Sequence, residues 1–215
     1  AGFDPWAEHA VAHALERQGR PREGLDFLRL RGPGWDRCSS FLYTHNWWHV
    51  ALFHLELGET GEALALFDQR VWGVRKAYAQ DQANAVSLLA RLELKGAETG
   101  ARWLEVGEWL KPRTGEHLNG LMELHYAYGL ARAGAGPEVD RLLGNLKAHG
   151  AASTDLLWRE VVPVAAEGVV AHARGRLEEA GRLLGQVVGR LQAAGGSSTQ
   201  RHLFTLLYHD ALARG

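Results

Sequence analysis

The sequence predicts an all-α protein, a right-handed α-solenoid of about five helical hairpins closed by a C-terminal capping helix. Three observations lead to this prediction. The chain has 215 residues, is dominated by Ala, Leu, Glu and Arg, and is poor in β-branched residues, so its local preference is helical. Glycine turns recur along it at a nearly constant spacing. A small or short apolar residue stands five positions after each of these glycines.

The first hairpin has clear boundary signals. Asp4 is a good N-cap, Pro5 fits the first helical position, and Gly19 follows the last periodic residue. The stretch GRPREGLDFLRLRG then predicts a short second helix that ends in a Gly-Pro-Gly sequence. The first hairpin is therefore expected over residues 4–31.

The same pattern recurs four more times. The turn glycines are separated by 39, 38, 38 and 41 residues; they are Gly19, Gly58, Gly96, Gly134 and Gly175. The residues five positions later are Gly24, Ala63, Ala101, Val139 and Ala180. A glycine turn followed by a small residue is the tetratricopeptide-repeat pattern, here with a period longer than the usual 34 residues. One helical-repeat domain is expected over residues 1–215, with hairpins at 4–31, 39–72, 80–110, 116–149 and 154–194 and a cap at 198–214.

Composition argues against several classes of partner and location. The chain carries 24 Lys and Arg residues against 25 Asp and Glu residues, so it lacks the basic surface that nucleic acids or anionic membranes attract. It has one cysteine, which favours a reducing compartment, and it has no apolar run long enough to cross a bilayer. We therefore expect a cytoplasmic protein with neither a nucleic-acid nor a membrane partner.

Four stretches resemble the tetratricopeptide-repeat protein 38 family: DPWAEHAVAHALERQGR, HNWWHVALFHLELGETGEALALFD, SLLARLELKG and GGSSTQRHLF. The motifs HNWWH and GGS-x-x-QR are the distinctive ones. The resemblance implies a helical-repeat fold but no particular reaction, and it implies that further hairpins precede this region in the family's proteins. The sequence departs from the family pattern at Asn84 and His202, where an acid is expected, and at Ala90, where a tryptophan is expected.

Two histidine pairs suggest a polar layer or a metal site. His9 and His13 are four residues apart on the first predicted helix, and His45 and His49 are four apart on the third. Residues four apart project side by side, so four imidazoles on neighbouring helices could meet. Such a set would accept zinc, nickel or copper. The preferred interpretation is a buried packing or groove-wall layer that needs no cofactor, because HxxxH lacks the internal glutamate of the HExxH metalloprotease motif. A transition metal such as zinc, held by His9, His13, His45 and His49, is the alternative.

A concave ligand groove is the other functional prediction. Nine residues before the turn glycine, three consecutive hairpins carry a polar residue, and these residues, their polar neighbours and the histidine pairs would line the groove. The candidates are His9, His13, Glu16, His45, His49, Ser87, Arg91, Glu123 and His125. This predicts an interaction protein that binds a peptide, a protein or a small polar molecule. A hydrogen-bonded ladder between helices would use the same residues. The alternative function is a metal-dependent or other enzyme that uses the HxxxH pairs.

The remaining features favour structural roles. Cys38 precedes His45 by seven residues, but a lone cysteine is usually a small buried hydrophobe. Ser197 and Ser198 are expected to cap the last helix. A solenoid end needs a polar cap, and the N-terminal end has none, so its apolar residues Trp6, Ala10 and Phe27 favour a homodimer through that end.

Overall fold

A computed structural model describes residues 2–74 and 76–215, and these residues form helices and turns without any β-strand. The prediction of an all-α protein is therefore confirmed. The chain divides into two compact units, Ala1–Thr99 and Gly100–Gly215. The solenoid arrangement and the number of repeats remain predictions.

The first unit is built around its central helix, α3. Its helices are α1 (Pro5–Arg17), α2 (Pro21–Arg29), α3 (Ser40–Glu56), α4 (Thr60–Leu66) and α5 (Ala79–Leu94). A 3₁₀ segment, Gly32–Arg37, precedes α3, and a π-helical segment, Phe67–Val71, follows α4. Helices α1, α2, α4 and α5 all pack on α3. The core beside α1 and α2 contains Ala12, Leu25, Leu28, Trp35, Tyr43, Val50 and Phe53.

The second unit is centred on α9. Its helices are α6 (Arg102–Leu110), α7 (Gly120–Arg132), α8 (Gly136–Ala152), α9 (Val162–Ala173), α10 (Leu177–Val187) and α11 (Ser198–Arg214). Helices α7, α8, α10 and α11 pack on α9, and α6 packs on α7. Non-α helical segments stand at Lys111–Arg113, Leu157–Val161 and Val188–Ala194.

The predicted turn glycines all adopt the left-handed conformation that ends a helix. Their φ angles lie between 64° and 81° at Gly19, Gly58, Gly96, Gly134 and Gly175. A side chain is strained at such angles, and glycine is not, which is why glycine marks these turns in the sequence.

The small residues after these turns behave less uniformly than the pattern suggests. Gly24 is buried against the ring of Phe53, and Ala63, Val139 and Ala180 are fully buried. Ala101 differs: it is exposed, because α6 begins only at Arg102 and Ala101 takes the N-cap position.

The predicted helix caps at both ends of the chain are confirmed. Asp4 Oδ1 accepts a 3.0 Å hydrogen bond from the backbone N–H of Ala7. Ser197 caps α11, and Gln200 completes a reciprocal capping box with it. At the N-terminal end Trp6 is 56% exposed, so the apolar surface expected there is present. Among the described helices, none is both long and apolar enough to span a membrane.

Candidate metal centre

The two histidine pairs meet between α1 and α3. His9 and His13 are one turn apart on α1, and His45 and His49 are one turn apart on α3, which packs against α1. The ring centroids of His9 and His13 are 4.5 Å apart, and those of His13 and His49 are also 4.5 Å apart. The distances from His9 to His45 and from His45 to His49 are both 4.9 Å. The four imidazoles therefore lie next to one another between the two helices.

Each of the four histidines has one ring nitrogen that lies within 4.8 Å of a ring nitrogen of each of the other three. No other group of three or more potential metal ligands occurs within residues 2–74 and 76–215. His45 and His49 are buried, and His9 and His13 are partly buried. We call these four residues the four-histidine cluster.

Several nitrogens of the cluster are buried without a hydrogen bond to any described residue. They are Nε2 of His9 and both Nδ1 and Nε2 of His49. Leaving a buried polar group unpaired costs roughly 1–3 kcal/mol, so native proteins rarely do so without a reason. A packing layer without a metal should give these nitrogens hydrogen-bond partners. A bound metal ion would instead use ring nitrogens of this kind as ligands.

Burial keeps the cluster in the neutral form that metals require. Burial lowers the pKa of His9 to about 4, with a smaller contribution from His13. Burial likewise lowers the pKa of His45 to about 3, although its hydrogen bond to Asn84 acts in the opposite direction. The pKa of His49 is held well below its usual value by burial, and the pKa of His13 is lowered by the same cause. Neutral imidazole is the form that ligates metal ions.

A chain of side-chain hydrogen bonds extends from His45 into α5. His45 Nδ1 lies 3.0 Å from Asn84 Oδ1, and Asn84 Nδ2 donates to Thr44 Oγ1 at 3.2 Å. The hydroxyl of Thr44 is 2.6 Å from Asp81 Oδ1. Asn84, Thr44 and Asp81 were not among the residues predicted for the site. Asp81 and Asn84 could have been indicated by their position as polar residues along the otherwise Ala- and Leu-rich helix α5, whereas Thr44, on α3, carries no such signal.

Glu16 places a carboxylate next to the cluster. Its Oε2 atom lies 3.7 Å from His49 Nδ1 and 4.0 Å from His13 Nδ1. The buried guanidinium of Arg91 donates to Ser87 Oγ at 2.6 Å. Burial lowers the pKa of Arg91 to about 10, while the negative charge of Glu16 opposes that shift. The five predicted residues outside the histidine pairs divide into two sets: Glu16, Ser87 and Arg91 belong to the first unit, and Glu123 and His125 belong to the second.

The two tryptophans of HNWWH separate as expected for adjacent helical residues. Trp48 is fully buried and its ring stacks on His45 at 5.0 Å. Trp47 is partly buried and packs edge-on against Trp35 at 5.0 Å. Trp48 therefore forms one wall of the cluster. Cys38 is partly buried against the apolar core of the first unit, in keeping with a packing role.

The other two predicted site residues lie on α7 of the second unit. His125 Nδ1 is 2.7 Å from the backbone oxygen of Leu121, so that ring nitrogen is the donor. Glu123 is fully buried, and neither of its carboxylate oxygens has a hydrogen-bond partner in the described chain. His117 Nδ1 lies 3.9 Å from Glu123 Oε1, and burial lowers the pKa of His117, which favours its neutral form.

The burial of these side chains bears on the groove prediction. The buried candidates are His45, His49, Ser87, Arg91, Glu123 and His125. A peptide-binding groove needs side chains that solvent and ligand can reach, so this burial argues against the groove; a hydrogen-bonded ladder and a buried metal site both accommodate it. The chain matches no protein-family model and no solved structure. The resemblance to the tetratricopeptide-repeat protein 38 family accordingly rests on the quoted motifs.

Proposed function

We propose that the first unit binds one transition-metal ion through His9, His13, His45 and His49. The observation that carries this proposal is the convergence of four neutral imidazoles from two packed helices, with one ligand atom of each within 4.8 Å of the others. Tetrahedral coordination at a metal–nitrogen distance of about 2.0–2.1 Å puts ligand nitrogens about 3.3 Å apart. Small rotations of the side chains would bring the cluster to that spacing.

The unpaired nitrogens of His9 and His49 support a metal over a packing layer. Three buried ring nitrogens without partners would together cost several kcal/mol at roughly 1–3 kcal/mol each. Coordination removes that cost for each nitrogen that becomes a ligand. The Glu16 carboxylate, 3.7 Å from His49, would offset part of the positive charge that an ion brings into the unit.

The donor set indicates which ions and which role fit. Imidazole nitrogens suit zinc, copper, nickel and iron, whereas magnesium and calcium prefer oxygen ligands. Catalytic zinc sites usually have three protein ligands and an open position, and four histidines would close that position. A closed site that only binds the metal therefore fits these residues better than the open site of a zinc hydrolase. We propose a metal-binding helical-repeat protein.

The test uses untagged protein that has been purified without a metal-affinity column. Elemental analysis and titration with Zn²⁺, Cu²⁺ and Ni²⁺ should give one ion per chain. His13→Gln removes a partly exposed ligand and should weaken binding by at least about 100-fold, since the loss of an outer-shell partner alone costs 10–100-fold. The matched control is His209→Gln, which removes an exposed imidazole from α11 and should bind like the wild type.

A thermal measurement provides the second readout. An ion at 100 times its Kd stabilises the folded state by about 2.7 kcal/mol, so the Tm of wild-type protein should rise with metal and fall with chelator. The proposal is wrong if wild-type protein binds less than one equivalent of every ion tested and chelator leaves its Tm unchanged. It is also wrong if His13→Gln binds as tightly as His209→Gln.

A further inference from the structure

The hydrogen-bond chain from His45 to α5 has a definite direction. Thr44 and Asp81 are buried, and Asn84 lies between Thr44 and His45 with contacts of 3.2 and 3.0 Å. Asp81 also accepts a hydrogen bond from the hydroxyl of Ser40. This series of hydrogen bonds therefore begins at the carboxyl group of Asp81, which two hydroxyl groups contact, and ends at the imidazole of His45 in the four-histidine cluster.

Donor and acceptor chemistry fixes each step. The Thr44 hydroxyl has one hydrogen and two acceptors within reach, Asp81 Oδ1 at 2.6 Å and the backbone oxygen of Phe41 at 3.1 Å, and the contact to Asp81 is the shorter one. The Thr44 oxygen is then left with lone pairs, and it accepts from the amide N–H of Asn84. This sets the orientation of the Asn84 side chain, because its NH₂ group must point to Thr44 and its oxygen to His45.

The last step determines the protonation of the ring. Asn84 Oδ1 can only accept, so His45 Nδ1 must carry the hydrogen. In a neutral imidazole the other nitrogen, Nε2, is then an acceptor with a free lone pair. A transition metal needs such a lone pair, and the opposite tautomer would present an N–H group in its place.

We infer that Asp81, Thr44 and Asn84 are positioning residues that hold His45 in its Nδ1-protonated tautomer and so reserve Nε2 for a metal ion. This inference rests on the proposed metal site, but the tautomer exists in the metal-free protein as well. Outer-shell hydrogen bonds of this kind orient the ring and raise ligand basicity, and their loss typically weakens metal binding by 10–100-fold. The site thus extends from α1 and α3 into α5.

The first experiment measures the tautomer directly in metal-free wild-type protein. Long-range ¹H–¹⁵N correlation spectra at pH 7.5 in chelator distinguish a protonated Nδ1 from a protonated Nε2. His45 should show the Nδ1–H pattern, with Nε2 at the chemical shift of an unprotonated nitrogen. A predominantly Nε2-protonated His45 would overturn the inference, whatever the metal titrations give.

The second experiment tests the relay with substitutions. Asn84→Leu removes the acceptor at similar volume; it should abolish the preference for Nδ1–H and weaken Zn²⁺ binding by about 10–100-fold. Thr44→Val keeps the side-chain shape but removes the hydroxyl that orients Asn84, so it should lower the Nδ1–H fraction. Ser40→Ala is the matched control, because it removes a hydroxyl donor to the same carboxylate without interrupting the chain to His45.

The outcomes separate the inference from the proposed function. An Nδ1–H tautomer that is lost in Asn84→Leu but retained in Ser40→Ala supports the relay even if no ion binds. Wild-type tautomer and wild-type Zn²⁺ affinity in both Asn84→Leu and Thr44→Val would overturn it even if the ion binds tightly. Should Asn84→Leu fail to fold, the wild-type spectrum and Thr44→Val still decide the question.

Discussion

Replacing the buried Glu123 with glutamine should stabilise the protein, and the gain should grow with pH. Glu123 is fully buried on α7, and its two oxygens have no hydrogen-bond partner in the described chain. Burial raises its pKa from 4.5 to about 7; the charge of Glu116 acts in the same direction and the backbone of His117 acts against it. A neutral amide of nearly the same shape removes the charge that burial opposes.

The sign and size follow from the difference between folded and unfolded states. Because the folded pKa is the higher one, the unfolded chain releases its proton first as pH rises. The contribution of Glu123 to the unfolding free energy is therefore fully present below about pH 4.5 and is lost as pH rises through 7. The difference between an unfolded pKa of 4.5 and a folded pKa of about 7 corresponds to about 3 kcal/mol of unfolding free energy at pH 8.5. The amide of glutamine does not titrate, so the Glu123→Gln variant should not lose this contribution.

Denaturant unfolding at several pH values between 5 and 8.5, in chelator, measures the effect. The unfolding free energy of Glu123→Gln minus that of wild type should increase by about 2–3 kcal/mol across this range. Histidines remote from Glu123 titrate alike in both proteins, so their contributions cancel in the difference; His117, 3.9 Å from Glu123, is the one that the substitution can affect. Glu167→Gln is the control, since it removes the same charge from an exposed position on α9. A difference for Glu123→Gln that stays constant with pH, as expected for Glu167→Gln, would refute the reasoning.

Three further predictions concern packing, capping and association. Gly24→Ala should cost about 1–3 kcal/mol in unfolding free energy, because the new Cβ would lie 2.3 Å from the buried ring of Phe53; Gly61→Ala, with no atom within 4 Å, should instead stabilise α4. Ser197→Ala should cost about 0.5–2 kcal/mol by thermal or denaturant unfolding, since it removes a capping box. If the exposed Trp6 mediates a homodimer, Trp6→Ser should abolish concentration-dependent sedimentation, whereas a monomeric wild type at all concentrations would contradict dimerisation.

The helices could be predicted from sequence because their signals are local. The left-handed glycines end helices by their own backbone preference, and Asp4 and Ser197 cap helices through neighbours three residues away. The π-helical segments at Phe67–Val71 and Leu157–Val161 carry no such signal, and the sequence pattern did not predict them. How the predicted hairpins stack depends on contacts between distant residues, so the repeat pattern predicts a solenoid without establishing it.

The candidate site was predictable in part for the same reason. The HxxxH spacing places two imidazoles side by side on any helix, and the repeat pattern makes α1 and α3 neighbours, so the four-histidine cluster could be anticipated. The relay through Asn84 could not, because it depends on the register between α3 and α5, a property of packing. Burial likewise depends on packing: Ser87 and Arg91, which the sequence predicts to line a groove, are buried in the first unit.

The cluster also bears on how firmly α1 is attached. Only one of the 13 residues of α1, Ala12, is buried, whereas 13 of the 17 residues of α3 are buried. Apolar burial alone therefore secures α1 weakly, and a metal ion held by His9 and His13 on one side and by α3 on the other would supply a large share of the remaining attachment. Hydrogen exchange should consequently slow in α1 when Zn²⁺ is added to the metal-free protein and change little in the already protected centre of α3. An equal change in both helices would indicate general stabilisation, and no change in α1 would mean that the ion does not join the two helices.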